Sequence, residues 1–199
     1  KKIEEKIKSS KDDNEIIVLS KLIIELDPTT FGAYVNLTSA LMRLNQIDEA
    51  EKWYRKLIAQ LTSADLPPNS NLAFLGYFGH ILYKNKKYPE ALEYLEKHLD
   101  SVENDPFSLY WKGVVLHALQ KYKDALHCCE TIIEINAIHE IKEPLDILVS
   151  LAWTEKADIQ NSLGDHQNAL ESIDKAIFIT DESLKATNVW IGKGVICQN

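Results

Sequence analysis

Three cysteines in 199 residues, two of them adjacent, are too few and too poorly spaced to form a disulfide framework. That scarcity points to a reducing compartment. No run of eighteen apolar residues occurs, so no membrane-spanning helix is expected, and the opening KKIEEKIKSS lacks the apolar core of a signal peptide. Positive charge is also in short supply, with 22 basic against 30 acidic residues and a net charge of −8. Nucleic acid binds through its phosphates and is therefore disfavoured, while neutral or basic ligands are mildly favoured. The expectation is a soluble, cytoplasmic protein with neither membrane nor nucleic-acid partners.

The patterns that carry chemistry are missing too. There is no glycine-rich phosphate loop, no paired metal-ligand spacing and no nucleophile placed with a base. Lys193-Gly194 is only a fragment of a phosphate loop. His127-Cys128-Cys129 comes nearest to a metal cluster, but consecutive helical residues point roughly 100° apart and cannot converge on one ion. Cys129 is expected in an apolar slot and His127 in solvent. No catalytic residue, metal or cofactor is expected, and the chain does not read as an enzyme.

What is present is repetition. From Phe107 to Asn136 the chain reads FSLYWKGVVLHALQKYKDALHCCETIIEIN, broken at Gln120-Lys121. In the first half Leu109, Gly113 and Leu116 share one helical face, and in the second half Ala125, Cys129 and Ile132 do the same. Each half is a short amphipathic helix that cannot bury its stripe alone and needs a copy beside it. The copies are DEAEKWYRKLI around Ala50, PEALEYLEKHL around Ala91, KDALHCCETII around Ala125 and QNALESIDKAI around Ala169. Ala91 and Ala125 are 34 residues apart, and the flanking gaps of 41 and 44 residues are the same period with insertions.

A 34-residue helix-turn-helix period with small and aromatic residues at these offsets resembles the tetratricopeptide repeat. Gly79 and Gly113 match its helix-packing glycine, where Thr38 departs. Trp153 matches its tryptophan, although Lys156 and Gln160 depart, and Asp27-Pro28 matches its closing proline. The resemblance covers essentially the whole chain and implies an all-α, right-handed superhelical solenoid, one array over residues 1–199. Its units are approximately 1–30, 31–64, 72–105, 106–139 and 150–183, with a half unit at 187–199 carrying Trp190, Lys193, Gly194 and Cys197. SADLPPNSN reads as a longer loop between units, and the helix of the fifth unit is expected to start near Pro144. The half unit either caps the array or opens a further repeat.

In this family the first helix of each unit lines a concave surface that holds a peptide or partner segment. Residues on those helices but off the packing stripe are then expected to face the groove. They are Val35, Asn36, Ser39 and Arg43 in the second unit, and Gly76, Tyr77, His80, Tyr83 and Lys84 in the third. The fourth supplies Tyr110, Trp111, Val114 and His117, and the fifth Thr154, Glu155, Asp158 and Asn161. The strongest candidates for peptide binding are Asn36, Arg43, Tyr77, His80, Tyr83, Tyr110, Trp111 and His117, an aromatic and nearly uncharged middle of the kind that makes a binding hot spot. His80 and His117 enter for their position, not for acid–base chemistry.

The expected partner is a protein or peptide, apolar at its centre and neutral to basic at its ends. Chaperone cofactors of the family clamp a C-terminal carboxylate with asparagine and basic residues from three successive first helices. Asn36 matches the asparagine, but the next basic slots hold Ala73 and Tyr77, so an acidic chaperone tail is not the expected ligand. Two alternatives stand beside the groove. One is a scaffold that self-associates through its end helices, Ile3 to Ile24 and Trp190 to Cys197. The other is an interaction domain within a larger multidomain protein.

Overall fold

The computed structural model describes residues 2–63, 73–139 and 145–179. Its helices are α1 (Lys2–Ser9), α2 (Asp13–Leu26), α3 (Phe31–Arg43), α4 (Ile47–Ser63), α5 (Ala73–Lys84), α6 (Tyr88–Leu99), α7 (Pro106–Ala118), α8 (Tyr122–His139), α9 (Leu145–Ser162) and α10 (His166–Ile179). The predicted loop SADLPPNSN, apart from Ser63 at the end of α4, and the half unit at 187–199 lie outside the described residues. The chain forms two compact units, Lys1–Lys87 and Tyr88–Asn199, divided between α5 and α6.

Short side chains start the helices where the sequence places them. The Asp12 carboxylate accepts from Asn14 N at 2.9 Å and caps α2. Asp105 accepts from Ser108 N at 2.9 Å, and Pro106, which has no amide hydrogen to leave unpaired, occupies the first turn of α7. α9 is described from Leu145 onward, and Pro144, where its start was expected, lies outside the described residues.

The helix ends share a device that the sequence does not announce. Asn45, Lys86, Gln120 and Gly164 each have positive φ, at 58°, 60°, 60° and 78°. In every case the next residue donates its N–H back across the turn: Gln46 to Leu41 O, Lys87 to Leu82 O, Lys121 to Leu116 O and Asp165 to Gln160 O. This is the left-handed helix cap that satisfies the last orphan carbonyls, and only Gly164 enters it without a Cβ penalty.

Within residues 1–87 the core gathers Tyr34, Leu37, Leu41, Ala50, Tyr54, Leu57, Phe78 and Leu82, each at most 1% exposed. The rings of Tyr54 and Phe78 stack at 5.4 Å. Thr38, in the glycine slot, is buried and returns its hydroxyl to Tyr34 O at 2.8 Å, which satisfies it inside the helix. Glu51 is also buried: its carboxylate receives Arg55, Lys87 at 2.6 Å and Asn85, joining α4 to the turn after α5.

In the unit from Tyr88 onward, Leu109, Leu116, Ala125, Cys128, Cys129, Ile132, Ala152 and Ile159 make one core, and Ala157, Ala169 and Ile173 a smaller one. The small residues permit the close approach that their repetition implied. A Cβ on Gly113 would lie 3.3 Å from Cys128 Cβ. Cys129 fills its apolar slot and His127 is exposed, as expected.

Candidate functional site

First helices of successive hairpins meet within each unit, α7 packing along α9 and α3 touching α5 through one pair of rings. Phe31 of α3 meets Phe74 of α5 with ring centroids 5.4 Å apart, and His117 of α7 meets Glu155 of α9 at 2.7 Å. The faces of these first helices can therefore be read one unit at a time.

On α3, Asn36 is exposed, and Val35 and Ser39 are half-buried. Arg43 is exposed but committed: Nη2 and Nε lie 2.5 and 2.8 Å from Asp13 Oδ1, tying α3 to the start of α2. On α5, Tyr77 presents its ring, 44% exposed. Tyr83 is half-buried, with the Lys84 ammonium 5.9 Å from its ring centre. Gly76, expected on the groove, is buried. His80 is largely enclosed, and burial, assisted by the Lys84 charge, pushes its pKa down to about 3, so it is a neutral packing residue at physiological pH.

On α7, Tyr110 and Trp111 are half-buried and meet edge to face at 5.1 Å, with Phe107 6.3 Å from Trp111 on the other side. Tyr110 leans on the core. Val114, expected to be outward, is buried at 7% exposure because it packs inside the unit. On α9, Thr154 bonds back to Ser150 O and Asn161 to the His166 ring.

Beside the aromatic residues stand the carboxylates expected on the fifth unit. His117 reaches two residues of α9, with Nδ1 2.7 Å from Glu155 Oε1 and Nε2 3.2 Å from Ser162 Oγ. The hydrogen bond to Glu155 raises the His117 pKa against the opposing effect of burial. Asp158 sits beside them. Burial, then the Glu155 charge, pushes its carboxyl up to about 6, and His117 draws it back. The face that begins with aromatic rings on α7 thus ends in carboxylates on α9.

A surface missed in the sequence lies at the far side of α9 and α10. An open cleft of about 460 Å³ is lined by Trp153, Glu171, Asp174, Lys175, Phe178 and Ile179. Phe178 is 91% exposed, and the Lys175 ammonium lies 4.4 Å from the Trp153 ring centre. Among the described residues no group of three or more His, Cys, Asp or Glu could hold a metal ion, and no helix is long and apolar enough to cross a membrane.

Helical hairpins packed on one another with small residues at their contacts define a fold class, the helical-repeat proteins. Comparison with known proteins places the chain within it. Residues 151–179 match the tetratricopeptide repeat family, and residues 43–132 match the family described as anaphase-promoting complex, cyclosome, subunit 3. A TPR repeat-containing protein of Methanocaldococcus jannaschii is 32% identical over 105 residues, covering 53% of this chain and 17% of the relative. A second from the same organism is 29% identical over 92 residues, 46% of this chain and 27% of that protein. The chain therefore spans less than a third of the length of these relatives.

Among solved structures, the APC/C hetero-tetramer Cut9-Hcn1 superposes with a TM-score of 0.74 at 14% identity, covering 94% of this chain and 33% of that one. YrrB, described as a TPR protein with an unusual peptide-binding site, superposes at 0.60 with 21% identity, over 89% of this chain and 84% of YrrB. At these identities the likeness speaks for the fold. The chain is similar to the tetratricopeptide repeat family over residues 151–179, and to the two repeat-containing proteins over 53% and 46% of its length.

Proposed function

We propose that this chain is a protein-interaction module that holds a peptide or partner segment against the inner faces of its hairpins. In residues 1–87 the contact surface is Asn36 of α3 with Tyr77 and Tyr83 of α5. In the following unit it is Tyr110, Trp111 and His117 of α7, bordered by Asp158 of α9. The observation that carries this reading is Tyr77, a large aromatic left 44% exposed on an inner helix instead of being drawn into the core. Aromatic side chains give much contact area for little lost rotamer freedom.

The partner is apolar where it meets the rings and neutral to basic beyond them, in keeping with the net charge of −8 and the carboxylates of α9. An acidic chaperone tail does not fit, because Ala73 and Tyr77 stand where a carboxylate clamp needs cations. YrrB's described peptide-binding site makes a peptide ligand the natural first test.

The test is a pull-down from source lysate with the wild type and the Tyr77→Ala/Trp111→Ala double variant, after circular dichroism shows equal helicity. A partner lost from the variant supports the inner faces. A partner retained by both refutes them.

One observation favours the second reading, self-association. Val18, Leu22 and Leu26 recur every four residues along α2 and are 64%, 40% and 72% exposed. Such an aliphatic stripe is the ordinary material of a helix-helix contact. Light scattering that shows size rising with concentration in the wild type but not in Val18→Glu/Leu26→Glu supports the scaffold.

A further inference from the structure

The contacts around His117 determine how many protons its ring must carry. A carboxylate only accepts, so Nδ1, 2.7 Å from Glu155 Oε1, must donate. Across the ring, Nε2 faces Ser162 Oγ at 3.2 Å. The Ser162 hydroxyl donates to Asp158 O at 2.9 Å, one helical turn back, so its oxygen meets the ring as an acceptor. Nε2 must then donate as well. A neutral imidazole has one N–H, and this arrangement uses two.

We propose that His117 is an imidazolium at neutral pH and that its charge staples α7 to α9, placing the packing of these two inner helices under proton control. Glu155 and Ser162 are seven residues apart, about two helical turns, so a single ring grips α9 at two levels. The pair is sheltered, with the His117 side chain 23% and the Glu155 side chain 12% exposed, and so escapes most solvent screening.

The groups around it agree. Glu155 and Asp158 face it from α9, both able to carry negative charge. From α8 come the Tyr122 ring, 5.8 Å from the His117 ring, and, on the Glu155 side of the pair, Cys129, whose thiol burial keeps protonated. The lysines on the two stapled helices are engaged elsewhere: Lys156 of α9 binds Glu130 at 2.7 Å and Lys112 of α7 binds Glu96 at 3.2 Å. The hydrogen bond to Glu155 raises the His117 pKa, so the staple's contribution is fully present below the ordinary value of 6.5 and is lost as pH rises through the raised one. Asp158, held at about 6 by burial, takes up a proton more readily in the folded chain than in the unfolded one. Protonating it below that value also favours the fold. Both groups tighten this face on mild acidification.

Any effect on partner binding rests on the proposed function, but the staple does not, so the two can fail separately. The test is a long-range proton–nitrogen correlation spectrum of the ¹⁵N-labelled full chain, followed through a pH titration without any ligand. The expected result is a doubly protonated His117 at pH 7, with Glu155→Gln lowering its midpoint by about one pH unit or more. A neutral tautomer at pH 7, or a midpoint unmoved by Glu155→Gln, overturns the charge assignment.

Hydrogen exchange tests the mechanical part. Protection of α9 amides, corrected for intrinsic rates, should fall several-fold between about pH 6 and pH 8.5 in the wild type and change little in His117→Gln. An equal fall in both overturns the staple.

Discussion

Replacing Glu51 with glutamine tests how residues 1–87 are held together. The side chain is 6% exposed and receives Arg55, Lys87 and Asn85. Burial alone would raise its pKa, but the hydrogen bonds from Lys87, Asn85 and Arg55 more than compensate and hold it below the ordinary 4.5. The amide keeps the shape and one acceptor oxygen while losing the charge. Stranding a fully buried ion costs about 3–5 kcal/mol. Here the cations left behind, Lys87 and Arg55, are 45% and 43% exposed and can turn to water. The amide is also cheaper to bury than the carboxylate. The remaining loss is that of charge-assisted hydrogen bonds, about 2 kcal/mol.

For a chain of this size that loss lowers the melting midpoint by about 4–8 °C at neutral pH. Circular dichroism melts of the wild type and Glu51→Gln measure it. Because the folded pKa is depressed, the stabilisation is present above 4.5 and is lost as pH falls through the lowered value. The two melting curves should converge in acid. Equal midpoints at pH 7, or a gap that persists undiminished at about pH 3, would refute the reasoning.

Three further outcomes follow from the packing. Gly113→Leu should destabilise by about 2–3 kcal/mol in urea titration, because even the first carbon would crowd Cys128 Cβ, which is fixed to the backbone of α8. Gln120→Gly should stabilise by about 0.5–1 kcal/mol by relieving a left-handed residue, and Gly164→Ala should cost about 1 kcal/mol for the converse reason. Cys128 and Cys129 should resist iodoacetamide at about pH 8 until denaturant is added, as read by peptide mapping, since burial pushes Cys128 up to about 11 and Cys129 higher still.

The helices were legible because their cause is local. Ala50, Ala91, Ala125 and Ala169 stand where two helices must touch, and each is 0% exposed. Asp105 and Pro106 start α7 by an equally local cause, since caps act within one turn. The left-handed turns escaped notice because asparagine, lysine and glutamine occupy three of them, so the usual glycine signal was absent. His117 and Glu155 were each assigned to an inner helix, but their pairing spans 38 residues and depends on the register of α7 against α9. Aligning the repeats does not supply that register, because the gap from Ala125 to Ala169 includes an insertion. The partial enclosure of Trp111 and the burial of Val114 follow from the same missing rotation.

The four matching turns bear on how quickly this chain can organise itself. Each closes through a bond from one residue to another five positions earlier, and at Asn45, Gln120 and Gly164 it joins helices that pack on each other, α3 on α4, α7 on α8 and α9 on α10. Any one of these three hairpins can form before the rest of the chain has collapsed, at little loop-closure cost. Helical architectures dominated by such local contacts fold on roughly the microsecond to millisecond scale, so little time is spent with apolar stripes exposed to other chains.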